Sequence, residues 1–151
     1  MIEIRLIPHE QLEADAEFQA LVSEYSAECS ISGMPPTNRD YDLYQKFEQA
    51  GFSRMFAAYK DSLLVGFLVL LVSPNPHYGC KIGTIESIFV GSNYRNSGAG
   101  LKLLKAAEET AKGMGAAGLF VSTPIGKQFA DVMEKMDSYT ETNRTFFKGL
   151  Q

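Results

Sequence analysis

The chain has 151 residues, the usual size of a single domain, with enough apolar residues for one core. With 45% hydrophobic and 21% charged residues it is neither a disordered nor a fibrous sequence. Its net charge of −4 argues against a general nucleic-acid binder, which needs a clustered cationic footprint, and suits the attraction of an amine.

In chain order, Ile2, Ile4 and Leu6 alternate with Glu3 and Arg5, which predicts a first strand ended by Pro8. A helical stretch is expected from His9 to about Cys29, with Phe18, Leu21, Val22 and Tyr25 on one stripe. Ser32-Gly-Met-Pro-Pro breaks it. Thr37-Asn-Arg-Asp reads as a helix start, with Thr or Asn capping and Asp40 in the first turn. Arg54–Lys60 and Leu63–Ser73 read as two strands of an antiparallel hairpin turning at Asp61-Ser62, and Pro74-Asn-Pro-His-Tyr-Gly as a loop. Lys81–Val90 is a further strand. A helix from about Ser97 to Lys112, a short strand Leu119–Ser122, a helix Gly126–Met136 and a last strand Tyr139–Lys148 complete the chain.

The order is β-α-α-β-β-β-α-β-α-β in one mixed α/β domain spanning 1–151. Cys29 and Cys80 lie far apart, which reads as two free thiols in a reducing cytoplasm, and no spacing of His and Cys suggests a metal. The longest apolar stretch, Leu63–Val72, is interrupted by Gly66 and falls short of the about 20 residues that span a bilayer. No membrane partner is expected.

The stretch most informative about chemistry is Thr84-Ile-Glu-Ser-Ile-Phe-Val-Gly-Ser-Asn-Tyr-Arg-Asn-Ser-Gly-Ala-Gly-Leu. An apolar strand runs into a polar turn, then Arg95-x-x-Gly98-x-Gly100, then a helix. The first amides of a helix lack internal partners and sit at its positive end, so a pyrophosphate can rest there if the backbone is approachable. Gly98, Ala99 and Gly100 leave it approachable. No Walker run is present, and Leu103 stands where a dinucleotide fingerprint wants a small residue.

The combination of Phe89-Val90, a short polar turn, Tyr94 and Arg95-x-x-Gly98-x-Gly100 resembles the acetyl-CoA motif of the GNAT superfamily of N-acetyltransferases, and the element order is similar too. The resemblance implies a central, mostly antiparallel sheet whose fourth and fifth strands splay apart, with Pro124 suited to that separation. It also implies acetyl-CoA as acyl donor. Ile88, Phe89 and Val90 would pair with its pantetheine arm, and the amides from Arg95 through Asn96, Ser97, Gly98, Ala99, Gly100 and Leu101 would hold its pyrophosphate. The acceptor would be an amine on a small molecule or peptide, and a homodimer would be in keeping with the family.

For catalysis the resemblance points to Glu86 as base and to the backbone N–H of Ile88 as the group that polarises the thioester carbonyl. The bland reading of Glu86 is a carboxylate bonded to a neighbouring strand or loop. In the family a Tyr of the last helix protonates the thiolate, but here Glu134 stands at its place, which leaves Tyr139, Ser122 or water. Tyr25, Glu28, His77 and Tyr78 fall in segments that border the acceptor side in this fold. Two other readings stay open: a CoA-binding or interaction module without turnover, and a protein that uses Gly98–Gly100 for another phosphate ligand.

Overall fold

The computed structural model describes residues 1–151. The alternating N-terminus forms β1 (Ile2–Leu6), followed by α1 (His9–Glu13), α2 (Ala16–Glu28) and α3 (Tyr41–Gln49). The expected single helix from His9 is split, because Asp15 leaves the helical conformation and its carboxylate accepts the Glu17 N–H as a cap. Asp40 likewise is the cap of α3 rather than part of its first turn, accepting from Leu43 N–H at 3.0 Å.

β2 (Ser53–Lys60) and β3 (Leu63–Asn75) form the expected hairpin. Its two turn residues, Asp61 and Ser62, both have positive φ, which matches the right-handed twist of the strands. β3 runs on through Pro74 to Asn75, beyond its expected end. β4 (Cys80–Val90), α4 (Ala99–Gly113), β5 (Ala116–Phe120) and α5 (Gln128–Glu134) follow. The sheet order is β1-β2-β3-β4-β5; every pair is antiparallel except β4–β5, which α4 joins in parallel.

The expected sixth strand, Tyr139–Lys148, does not form. Beyond Tyr139 the segment reads Thr-Glu-Thr-Asn-Arg-Thr and every residue to Gln151 is exposed, so no buried face rewards strand pairing. The sheet therefore has five strands instead of six.

Two cores cover the two faces of the sheet. One packs Leu103, Leu104, Ala107 and Ala111 of α4 on Phe56, Leu68, Val72 and Ile85. The other packs Leu12, Phe18 and Leu21 of α1 and α2 on Met55, Phe67, Val69 and Phe89. At Gly66 the sheet and α4 meet so closely that a Cβ would lie 2.8 Å from the Phe89 carbonyl oxygen.

Candidate active site

Two irregularities in β4 build the site. Val69 pairs with Ser87 but Leu70 with Ile85, so Glu86 is an extra, bulged residue. A bulge resets the alternation of side chains. Ile85, Ile88 and Val90 consequently join the α4-side core, whereas Phe89 joins the core under α1 and α2. Glu86 is thereby turned toward α3. Strict alternation in the sequence could not reveal this.

The second irregularity is the parting of β4 and β5. Their pairing ends at Thr84–Phe120, and from Ile85 to Val90 β4 is bonded to β3 alone. The Gly91 N–H donates to Val65 on β3 at 2.9 Å. Strand alternation then turns the amides of Ile88 and Val90 the other way, into the open side. That is the slot expected between the fourth and fifth strands.

The slot leads to the turn before α4. Gly98 has φ of 83°, and a Cβ there would meet nothing within 4 Å, so the turn is open toward solvent. Lys102 N–H closes the first helical bond on Gly98 at 3.1 Å, and Ala99 N–H reaches Ser97 Oγ at 3.3 Å. The amides of Gly100 and Leu101 lie free at the positive end of α4. A strand edge with unpaired amides leading to an open helix start fits a pantetheine arm ending in a pyrophosphate. Of the amides from Arg95 to Leu101 expected to hold that group, the Ser97 N–H donates to the Tyr94 carbonyl and the Ala99 N–H to Ser97 Oγ, whereas those of Gly100 and Leu101 would be available to it. Arg95 itself makes a two-pronged ion pair with Glu28 (2.7 and 2.8 Å) and donates to the Val90 carbonyl at 3.2 Å. Glu24 accepts the Ser92 N–H at 2.8 Å, so two carboxylates of α2 tie this turn to that helix.

Around Glu86 lies a cavity of about 330 Å³, lined among others by Tyr25, Arg39, Tyr44, Phe47 and Leu71. The Tyr44 hydroxyl donates to Glu86 Oε1 at 2.6 Å, and Ser87 Oγ donates to Oε2 at 2.7 Å. Burial, with Glu86 close by, pushes the Tyr44 hydroxyl well above the ordinary tyrosine range, so Tyr44 remains a donor. Behind it, His9 stacks on the Tyr44 ring and bonds to Ser53 Oγ at 2.7 Å; both His9 and Ser53 are fully buried. Burial lowers the His9 pKa and keeps the ring neutral.

Tyr25 and Glu86 share this cavity. Glu28 does not line it, since it is engaged with Arg95. His77 and Tyr78 are exposed at the tip of the β3–β4 hairpin, with their amides on Asn75 Oδ1. Glu86 lies six residue steps along β4 from Cys80, about 20 Å. The Tyr139 hydroxyl donates to Glu108 of α4 at 2.6 Å, and Tyr139 packs on the α4-side core, across the sheet from Glu86. Glu134, in the last turn of α5, is exposed. Arg39 and Tyr44 are the residues that sequence reasoning missed. In the sequence Tyr44 falls with Leu43 and Phe47 on the apolar side of a helix, and Arg39 lies in the helix start.

The fold is that of an acyltransferase family. Residues 18–130 match the model of the acetyltransferase (GNAT) family. The chain belongs to that family and is an acetyltransferase. No curated protein matches it in sequence. Among solved structures it is similar to a ribosomal-protein-alanine N-acetyltransferase from Brucella melitensis biovar Abortus 2308, with 18% identity, 97% of this chain and 98% of that one covered, and a TM-score of 0.73. It is also similar to the aminoglycoside acetyltransferase meta-AAC0020 from an uncultured soil metagenomic sample (19%, 99% and 97%, TM-score 0.75). A third is aminoglycoside N-acetyltransferase AAC(6′)-Iy in complex with CoA (19%, 97% and 97%, TM-score 0.70). At these identities the likeness is one of fold. No helix is long and apolar enough to cross a membrane.

Proposed function

We propose that the protein transfers the acetyl group of acetyl-CoA to a primary amine by direct attack, with Glu86 as base. The observation that carries this reading is the bulge that turns Glu86 into a cavity while the neighbouring amides of Ile88 and Val90 face the open slot beside β4. Acetyl-CoA supplies an activated acetyl group as a thioester.

The chain's own groups do the rest. The free amides of the turn before α4, with those of Gly100 and Leu101 foremost, hold the pyrophosphate, and Ile88, Phe89 and Val90 hold the arm as an added strand would. Ile88 N–H is the donor aimed at the carbonyl oxygen, where negative charge develops. Glu86, fixed by Tyr44 and Ser87, orients the amine and takes its proton, directly or through one water. With Tyr139 directed at Glu108, the departing thiolate takes its proton from solvent. Arg95 reaches the pyrophosphate by exchanging Glu28 for it.

A CoA-binding module without turnover is the second reading, favoured by Glu134 at the usual Tyr position and by the engagement of Tyr139. Release of free thiol from acetyl-CoA in the presence of an amine panel separates the two. Amine-dependent release supports the enzyme, and binding without release supports the module.

A further inference from the structure

The cavity beside Glu86 contains a buried cation without a matching acceptor. The Arg39 side chain is 4% exposed and lines the cavity, yet its Nε and Nη2 have no hydrogen-bond partner. Its guanidinium rests over the Tyr44 ring at 4.5 Å and over Phe67 at 5.5 Å. Ring faces offset part of the cost of burying the charge but leave the N–H edge unanswered.

The neighbouring carboxylates do not answer it. Glu86 Oε2 forms an ion pair with Arg39 Nη2 at 3.9 Å, beyond hydrogen-bond reach, and each Glu86 oxygen accepts one hydrogen bond, from Tyr44 or Ser87, with capacity for a further donor. Asp40 caps α3 through Oδ1 and forms no ion pair with Arg39.

An arginine fork is matched best by a planar oxyanion, above all a carboxylate. A ligand satisfying this site must therefore place an ammonium at Glu86 and a carboxylate at Arg39, two groups whose nearest atoms are 3.9 Å apart. An α-amino acid carries both on one carbon. The rest of the wall is mixed: Thr37, Asn38 and Asp40 are polar, while Leu43, Phe47 and Leu71 form an apolar stretch on which an apolar side chain can rest. A polyamine would instead set a second ammonium against the guanidinium.

We propose that the acceptor is an apolar α-amino acid, its carboxylate held by Arg39 and its amine presented to Glu86. Arg39 is then the residue that decides acceptor specificity. This rests on the acetyltransferase reading above.

The test uses the full chain with acetyl-CoA and three matched sets: leucine, methionine and phenylalanine, their carboxamides, and the corresponding amines lacking the carboxyl group. The free amino acids are expected to show kcat/KM at least tenfold above their matched amides and amines. In Arg39→Met that ratio falls to near one with acetyl-CoA affinity unchanged, and Arg39→Lys retains part of it. Amides or plain amines turned over as well as the amino acids by the wild-type protein would overturn the proposal, even if neither variant folds. So would a preference that survives Arg39→Met. Acetyl-CoA binding with no amine acetylated at all would instead sink the acetyltransferase reading, and this inference with it.

Discussion

Gly98 separates what the turn before α4 does for the fold from what it does for the ligand. Its φ of 83° lies in the left-handed region, so any side chain there costs about 1 kcal/mol of stability. A Cβ would meet nothing within 4 Å, so no steric term adds to this. For a chain of this size the melting temperature should fall by about 2–4 °C, and equally for Gly98→Gln and Gly98→Glu. Cofactor binding should divide the two variants. A carboxylate about 5 Å from a phosphate charge is repelled by about 0.8 kcal/mol in water, and by about 3 kcal/mol at the effective dielectric of a protein surface. Gly98→Glu should therefore bind acetyl-CoA about fourfold to two-hundredfold more weakly than Gly98→Gln, the gap narrowing at high salt. Calorimetric titration of both variants, alongside their melting curves, makes the comparison. Equal affinities in the two would refute placement of the pyrophosphate at this turn.

Three other changes follow from the same geometry. Glu86→Gln should leave acetyl-CoA affinity intact while lowering kcat by about 10²–10⁴ and flattening the pH profile, as expected for loss of a general base; full steady-state activity with an unchanged profile would remove Glu86 from that role. Gly66→Ala should destabilise the fold by more than any Gly98 variant, because its Cβ would stand 2.8 Å from the Phe89 carbonyl and 3.2 Å from Val90, which thermal melts would register. His9 should make stability depend on pH. Its folded pKa is lowered by burial, so the unfolded chain binds the proton more readily, and stability present above about pH 6.5 is lost as pH falls below it. Glu13, whose carboxyl is raised by burial, acts in the opposite sense, so the contrast is drawn with His9→Gln, whose melting temperature should fall less steeply below about pH 6.5.

Where local chemistry decides, the sequence was legible. The Asp61-Ser62 hairpin, the strand into Val90 and the glycine turn into a helix all depend on residues close in the chain, and each is found where it was expected. The misses have non-local causes. Splitting of the first helix turned on which of several polar residues became a cap, and the choice fell on Asp15. The tail after Tyr139 had apolar residues but no surface to bury them against.

Within the site, Glu86 and the β4 edge stood out because a carboxylate is unusual in an apolar strand. Tyr44 and Arg39 did not, since a helix residue and a loop residue far from β4 in the chain meet Glu86 only once α3 is packed on the sheet. The engagement of Arg95 by Glu28 was equally hidden, being a pairing 67 positions apart.

The central claim is that this chain binds acetyl-CoA along β4 and at the start of α4. It is tested most directly by titrating the purified protein with acetyl-CoA in a calorimeter, with ATP as the control. Micromolar binding of acetyl-CoA and none of ATP is the predicted result. A folded sample that binds neither, or binds both alike, would contradict the account.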